Sequence, residues 1–205
     1  MIDIFYKVFK VLCRIWFGSI LRTKIIGVEN IPKQGAFILA ANHVSNWDPP
    51  FLGTFIEREV NYMGKEELFR NRLMGLICKG LHVFPVKRGA ADKGAIKTAI
   101  KILKAGGCLG IFPEGTRSKT GELGKAAAGV SLIAALSGAP IIPAAIINTE
   151  KIFSKEMARP VVVYGSPLKF TGTPKDKAAM ERFAQELMKE IAKLKGEKNV
   201  PRRTA

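Results

Sequence analysis

Short apolar runs alternate with amphipathic helical patterns along most of this 205-residue chain, and this alternation limits the possible folds more than any other feature. Strands joined by helices are typical of a sheet that helices cover on both faces. We therefore predict an α/β fold, a single domain with a mixed, mainly parallel sheet flanked by helices. The predicted strands are 36–41, 60–64, 82–86, 108–112, 141–147 and 161–164, and the predicted helices include 48–58, 66–79 and 125–136.

Capping residues indicate two further helices. Asp92 is a good N-cap for a helix that a Gly-Gly pair ends before the strand at 108–112. Thr173, Pro174 and Asp176 fit the N-cap, N1 and N3 positions of a last helix, whose apolar residues recur at core spacing. We interpret that apolar stripe as packing.

We predict that the amino-terminal 24 residues form a separate amphipathic segment ahead of the main domain at 25–195, and that a basic tail follows at 196–205. The segment is too interrupted by charge to cross a bilayer, and no cleavage site of small residues indicates a signal peptide. Its pattern favours a helix that lies in the membrane interface; a helix packed on its own domain is the alternative. Its charges form one narrow polar stripe: Asp3, Lys7, Lys10 and Arg14.

The charge balance favours a polyanionic partner. Lys and Arg number 33 against 17 Asp and Glu, which gives a formal charge of +16. Nucleic acid, anionic lipid and an acidic carrier would all suit this charge, but the chain has no basic helix with stacking aromatics and no zinc-finger spacing. The odd, widely spaced cysteines Cys13, Cys78 and Cys108 argue against a disulfide framework or a zinc site, and favour a reducing cytosolic setting.

A polar cluster at 42–48 directly follows the first predicted strand. Four residues separate His43 from Asp48, so one turn can bring the carboxylate back to the imidazole. Such a carboxylate fixes the imidazole tautomer and stabilises the imidazolium, as the acid of a Ser-His-Asp triad does. A structural histidine and a helix N-cap remain the alternatives.

A second cluster at 112–118 also follows a predicted strand, and in open α/β sheets ligands bind at this edge. Gly115 lets the backbone approach a ligand, Arg117 can fork onto phosphate oxygens, and Thr116 or Ser118 offers a hydroxyl. A surface turn with an ion pair is the alternative. A third segment, 84–89, ends its strand with two cations, for which a solvated strand end is the alternative.

These motifs together resemble those of the glycerolipid acyltransferases, specifically the 1-acyl-sn-glycerol-3-phosphate acyltransferases. Asn-His-x4-Asp, a strand ending in Arg, Phe-Pro-Glu-Gly-Thr-Arg-Ser and Pro-Ile-Ile-Pro occur in the family's order across roughly 25–168. One departure is that members often have Phe-Lys-Lys-Gly where this chain has Ala-Ala-Ala-Gly at 126–129, with Lys125 displaced toward the preceding motif.

The resemblance implies roles for individual residues. His43 would be the general base and Asp48 its partner. The acceptor and its phosphate would be bound by Arg88, Glu114, Gly115, Thr116 and Arg117. Supporting positions would be Asn42, Lys87, Ser118, Lys125 and, on the acyl-donor side, Pro143.

The implied reaction moves a fatty-acyl group from acyl-coenzyme A or acyl carrier protein to the sn-2 hydroxyl of a lysophosphatidic-acid-like acceptor. The enzyme would act peripherally at an anionic membrane surface on the cytoplasmic face, with no cofactor, metal or nucleic acid. Ser45 lacks the Gly-x-Ser-x-Gly setting of an acylated nucleophile, so direct transfer is favoured. Two alternatives are a same-family enzyme for another lysophospholipid or lyso-aminolipid, and a non-catalytic basic module that binds membrane or nucleic acid.

Overall fold

The computed structural model describes residues 2–87, 92–155 and 158–196. Seven strands form one sheet: β1 (Lys24–Ile26), β2 (Phe37–Ala41), β3 (Val60–Lys65), β4 (Val83–Val86), β5 (Cys108–Ile111), β6 (Ile141–Ile147) and β7 (Val161–Tyr164). The α-helices are α1 (Ile2–Cys13), α2 (Asp48–Thr54), α3 (Arg72–Gly80), α4 (Lys93–Lys104), α5 (Gly129–Ser137) and α6 (Lys177–Gly196). A π-helix spans Arg14–Ile20, and short 3-10 turns span Val28–Asn30, Glu66–Phe69 and Thr149–Lys151.

The strand order across the sheet is β1-β7-β6-β2-β5-β3-β4. Every neighbouring pair is parallel except β6 with β7. The predicted α/β class with a mixed, mainly parallel sheet is therefore confirmed. Strands β2, β5 and β6 run in the same direction at the centre, so their carboxyl ends meet at one edge of the sheet.

Helices cover both faces of the sheet, and each layer has its own hydrophobic core. On one face, Phe17 of the π-helix and Phe51 of α2 pack against Leu39 and Ile142. On the other face, α4, α5 and α6 contribute apolar side chains such as Leu103, Ile133 and Leu187. Because β2 and β6 are buried on both faces, they consist of almost continuous apolar runs.

Several predicted boundaries differ from the structure, and local hydrogen bonds give the reason. The predicted helix 66–79 is broken, because Asn71 caps α3 by accepting from the Met74 amide at 3.0 Å after a 3-10 turn. The predicted helix 125–136 begins late, at Gly129, because the Ala127 amide donates instead to the Pro113 carbonyl at 2.7 Å. The predicted helix 48–58 ends at Thr54.

The last helix is also entered differently from the prediction. Thr173 is not its N-cap, because the Asp176 amide donates to the Thr173 carbonyl at 3.1 Å in a preceding turn. Asp176 itself accepts from the Ala179 amide at 2.9 Å, and α6 begins at the next residue. By contrast, the predicted cap at Asp92 is confirmed by its 3.0 Å bond from the Ala95 amide.

The amino-terminal segment folds as α1 followed by the π-helix, and then as β1, a short edge strand that the sequence did not indicate. Among the residues that the structure describes, no helix is both long enough and apolar enough to cross a membrane. Residues 197–205 of the predicted basic tail lie outside the described part of the chain.

Candidate active site

The site begins where β2 leaves the centre of the sheet. Asn42 is fully buried and bonds to both backbone groups of Ile146 on β6, donating to the carbonyl at 2.8 Å and accepting from the amide at 2.8 Å. A side chain thus continues the ladder beyond the last paired residues of β2. This bond holds the start of the next loop, which carries His43.

The loop returns at the first turn of α2, as the spacing predicted. His43 Nδ1 lies 2.7 Å from Asp48 Oδ2. The same oxygen accepts from the amides of Val44 at 2.6 Å and Ser45 at 2.7 Å. An ionised carboxylate only accepts, so Nδ1 carries the proton and the free lone pair lies on Nε2. The pair therefore has the tautomer of a general base.

Thr149 holds the other oxygen of the same carboxylate. Its hydroxyl donates to Asp48 Oδ1 at 2.5 Å, and both side chains are almost completely buried. The residues are 101 positions apart and meet because β6 ends beside β2. The sequence reasoning missed Thr149, although a hydroxyl residue just beyond an apolar strand at the ligand-binding edge could have indicated it.

An aromatic stack supports the imidazole. The ring of Phe112, which follows β5, stacks on His43 with centroids 4.1 Å apart and planes 19° apart. Tyr62 of β3 stacks beyond Phe112 at 6.4 Å. The His43 side chain is only 12% exposed, so its ring has little freedom to turn.

Glu114 joins the two motif loops. One carboxylate oxygen accepts from the His43 amide at 3.1 Å, and the other accepts from the Gly124 amide at 3.0 Å. The Ser118 amide also donates to the His43 carbonyl at 2.8 Å. The loop that carries Arg117 is thereby attached to the backbone of His43.

The chain matches known proteins across this region. A family model described as "Acyltransferase" matches residues 22–147. The 1-acyl-sn-glycerol-3-phosphate acyltransferase of Bacillus subtilis is 37% identical over 150 residues, which cover 71% of this chain and 73% of that protein. The enzyme of the same name from Borreliella burgdorferi is 32% identical over 146 residues, 70% of this chain and 58% of that protein.

The chain belongs to the acyltransferase family. The crystal structure of the 1-acyl-sn-glycerophosphate (LPA) acyltransferase PlsC from Thermotoga maritima superposes with a TM-score of 0.72 at 25% identity. That match covers 93% of this chain and 79% of the PlsC chain. The recognition of a glycerolipid acyltransferase from the sequence motifs is thus confirmed, and the chain is an enzyme of the acyltransferase class.

The remaining residues expected in this acyltransferase's site occupy different settings. Gly115 has φ of 68°, a left-handed backbone conformation that glycine adopts without strain, and its amide closes a turn onto the Phe112 carbonyl. Thr116 and Arg117 are exposed beyond that turn, as is Lys125 on the following loop. These side chains are open to solvent and are not used in packing the core.

Of the three other expected positions, the structure describes Lys87 and Pro143. Lys87 is exposed at the end of β4, where its amide donates to Asp92 at 2.9 Å; this bond lowers the pKa of the Asp92 carboxyl. Arg88 lies outside the described residues. Pro143 is buried within β6, beside Ala40, and its carbonyl accepts from Gly165 at 2.8 Å.

A small apolar cavity of about 60 Å³ lies between α1, α2 and β3. Pro49 and Pro50, which directly follow Asp48, form part of its wall, together with Phe9 and Tyr62. The Tyr62 hydroxyl has no hydrogen-bond partner among the described residues, and burial raises its pKa well above the usual value. The cavity therefore adjoins the first turn of α2, which begins with Asp48.

Proposed function

We propose that the enzyme transfers a fatty-acyl group from a thioester donor to the sn-2 hydroxyl of 1-acyl-sn-glycerol-3-phosphate, which gives phosphatidic acid. The observation that carries this proposal is the hydrogen-bonded His43–Asp48 pair, to which the Arg117 loop is directly attached. The names of the relatives agree with this acceptor.

The chemistry follows from the tautomer of the pair. His43 Nε2 takes the proton of the acceptor hydroxyl as that oxygen attacks the thioester carbonyl. Asp48 stabilises the imidazolium that forms. The tetrahedral intermediate then collapses, the carbon–sulfur bond breaks, and the imidazolium returns its proton to the thiolate. The reaction therefore converts one alcohol and one thioester into one ester and one thiol.

Cationic side chains on the loops around His43 can bind the acceptor phosphate. Arg117 is exposed four residues beyond the backbone contact of Pro113 and can bind phosphate oxygens bidentately. We propose that it holds the phosphate together with Arg88, with Thr116, Ser118, Lys87 and Lys125 as supporting donors. Glu114 already accepts from two backbone amides, so we assign it the task of positioning the loop.

We also propose that the enzyme works at an anionic membrane surface on the cytoplasmic face, held there by α1. Tyr6 and Cys13 of this helix face the domain, whereas Ile4, Val8 and Leu12 are more than half exposed. Lys7 and Arg14 are exposed beside them and can bind lipid headgroups. A basic surface would also attract an acidic acyl carrier protein, if that is the donor.

Thiol release tests the reaction. The protein is incubated with acyl-coenzyme A or acyl carrier protein thioester, with and without lysophosphatidic acid in mixed micelles. Release should require the acceptor, and His43→Ala should lower its rate by about 10² to 10⁴. The better donor in this comparison is the physiological class.

The chain's other histidine provides the matched control. His82 stacks on Tyr6 with centroids 4.6 Å apart and has φ of 57°, which asparagine tolerates well. His82→Asn should keep near-normal turnover. Near-normal turnover in His43→Ala would contradict the mechanism. If thiol is released only with another lysolipid, that lipid would be the acceptor in place of lysophosphatidic acid.

A further inference from the structure

The two layers that cover the sheet differ in their outer surfaces. In the layer of α4, α5 and α6, the outward positions of α4 are lysines: Lys93, Lys97, Lys101 and Lys104. In the opposite layer, α3 presents leucines instead. Leu73 is 69% exposed and Leu76 is 67% exposed, among the largest values for apolar residues in the described chain. Such a surface is costly in water unless something covers it.

The leucines are exposed because of the way α3 packs. Gly75 and Cys78 face the domain, and Gly75 lies against the backbone of Phe69. Leu73 and Leu76 are three residues apart and point to the opposite side of the helix. We call Leu73 and Leu76 the α3 ridge.

The ridge continues the exposed apolar surface of α1. A Cβ atom at Gly80 would lie 2.6 Å from the Phe5 ring, so only glycine lets this ring sit on the end of α3. Phe5 is itself 44% exposed and links the two surfaces. The outward side chains of α1 that continue the surface are Ile4, Val8 and Leu12.

The charges around the ridge match an anionic bilayer. Residues 68–80 contain Arg70, Arg72 and Lys79 and no acidic residue. All three cations are exposed, and their long stems can reach from an inserted apolar face to lipid phosphates. A protein partner would need a matching apolar groove with an acidic rim, whereas an anionic membrane presents both features together.

We propose that α3 is a second bilayer-contacting element, which inserts the α3 ridge into the same leaflet as α1. The inference extends the membrane association proposed above and is independent of the transfer reaction. Two contact helices on one layer of the sheet would fix the tilt of the enzyme on the membrane, which a single interfacial helix does not.

Tryptophan reporters test this placement, because the chain has only Trp16 and Trp47. In a Trp16→Phe, Trp47→Phe background, Leu76→Trp reports on the ridge and Leu136→Trp is the control. Leu136 is 42% exposed on α5, in the opposite layer. With vesicles of phosphatidylcholine and phosphatidylglycerol, the reporter at position 76 should shift to shorter wavelength and be quenched by brominated acyl chains. The reporter at 136 should do neither.

A reporter at 76 that stays unquenched, while Trp16 in Trp47→Phe is quenched, would overturn the role of α3 and leave the membrane contact of the amino-terminal helical segment intact. Loss of quenching at both positions would overturn the membrane proposal as a whole. The emission of the reporter at 76 could instead shift without vesicles, at protein concentrations where the molecular mass doubles. That result would show that the ridge binds a second copy of the chain, and it would overturn the proposal that the ridge inserts into a bilayer.

Partitioning provides an independent measure. Leu73→Ser with Leu76→Ser should weaken vesicle binding by about tenfold or more, and Leu136→Ser should leave it unchanged. Thiol release with a soluble short-chain lysophosphatidate should stay normal in both variants, because the catalytic pair is untouched. Failure of that soluble reaction in the unmodified enzyme would count against the transfer function and not against the ridge. Unchanged vesicle binding in the double variant would overturn the inference.

Discussion

At the residue scale, the site depends on how completely Asp48 is satisfied. Its two oxygens accept from one imidazole, two backbone amides and one hydroxyl, in a fully buried position. A buried carboxylate without such donors would be costly, so each donor contributes to stabilising it and fixing its orientation. The amides belong to the same loop, whereas Thr149 is the one of these donors that comes from a distant part of the chain.

Thr149→Val tests that contribution with little change in shape. The valine leaves Asp48 Oδ1 without its 2.5 Å donor, so the carboxylate loses one of the contacts that orient it toward His43. We expect kcat to fall by about tenfold to a hundredfold. KM should change little, because Thr149 contacts Asp48 and is not one of the residues proposed to bind the acceptor. Steady-state thiol release at saturating donor gives both constants.

Thr149→Ser is the matched control, because it restores the hydroxyl and removes only a methyl group. It should recover most of the lost kcat. A valine variant with normal kcat, or one whose loss appears only in KM, would show that Thr149 does not act through Asp48. A serine variant as slow as the valine variant, at equal thermal stability, would show the same.

At the element scale, Tyr62 on β3 and Phe112, which directly follows β5, support the His43 ring. Tyr62 on β3 lies over Gly110 on β5, and its ring stacks toward Phe112 and then His43. A glycine inside a central strand is unfavourable by itself, but here it provides the space for an aromatic ring. The spacing between these two strands therefore determines how closely the aromatic rings pack against the His43 imidazole.

Gly110→Ala should destabilise the fold and disturb the site together. The new Cβ would lie 2.2 Å from the Tyr62 ring, which is buried. We expect a loss of about 1–3 kcal/mol in the free energy of unfolding, the usual range for overpacking. Denaturant unfolding followed by circular dichroism measures it.

Gly106→Ala and Gly121→Ala separate this clash from the general effect of replacing glycine. Both positions have open space where a Cβ would be built, and both have positive φ, so strain there is conformational only. An equal stability loss with unchanged turnover in all three variants would contradict the proposed link from Gly110 through Tyr62 to the active site.

At the scale of the whole molecule, the fold buries all three thiols. Cys13, Cys78 and Cys108 are buried and free, and burial raises the pKa of each. The thiolate is the reactive form, so a raised pKa keeps its population low at neutral and mildly alkaline pH. The fold therefore contributes little background to a thiol-release assay.

We expect the native protein to react slowly with 5,5′-dithiobis(2-nitrobenzoate) between pH 7 and 8.5. The same protein in guanidinium chloride should release three equivalents at once, because unfolding removes the desolvation that raises the pKa values. Absorbance at a fixed reagent concentration follows both reactions. A rapid single equivalent from the native protein would show that one cysteine is accessible, and Cys78→Ser and Cys13→Ser would identify which.

The sequence by itself determined the fold class and the pairing of His43 with Asp48. Both depend on local patterns: apolar runs that suit a sheet buried on two faces, and a five-residue offset that one turn closes between His43 and Asp48. Local capping chemistry likewise determined the start of α4 at Asp92. It failed at Thr173 and at 125–128, where a preceding turn and a bond to Pro113 compete with helix formation.

Only the tertiary structure decided which distant groups meet at the site. Thr149 reaches Asp48 because β6 lies beside β2, and Glu114 clamps the His43 loop because β5 lies on the other side. The exposure of Leu73 and Leu76 also depends on how α3 packs, since periodicity alone assigns such residues to a core. Contacts between residues far apart in sequence are set by strand order, and neither composition nor spacing encodes that order locally.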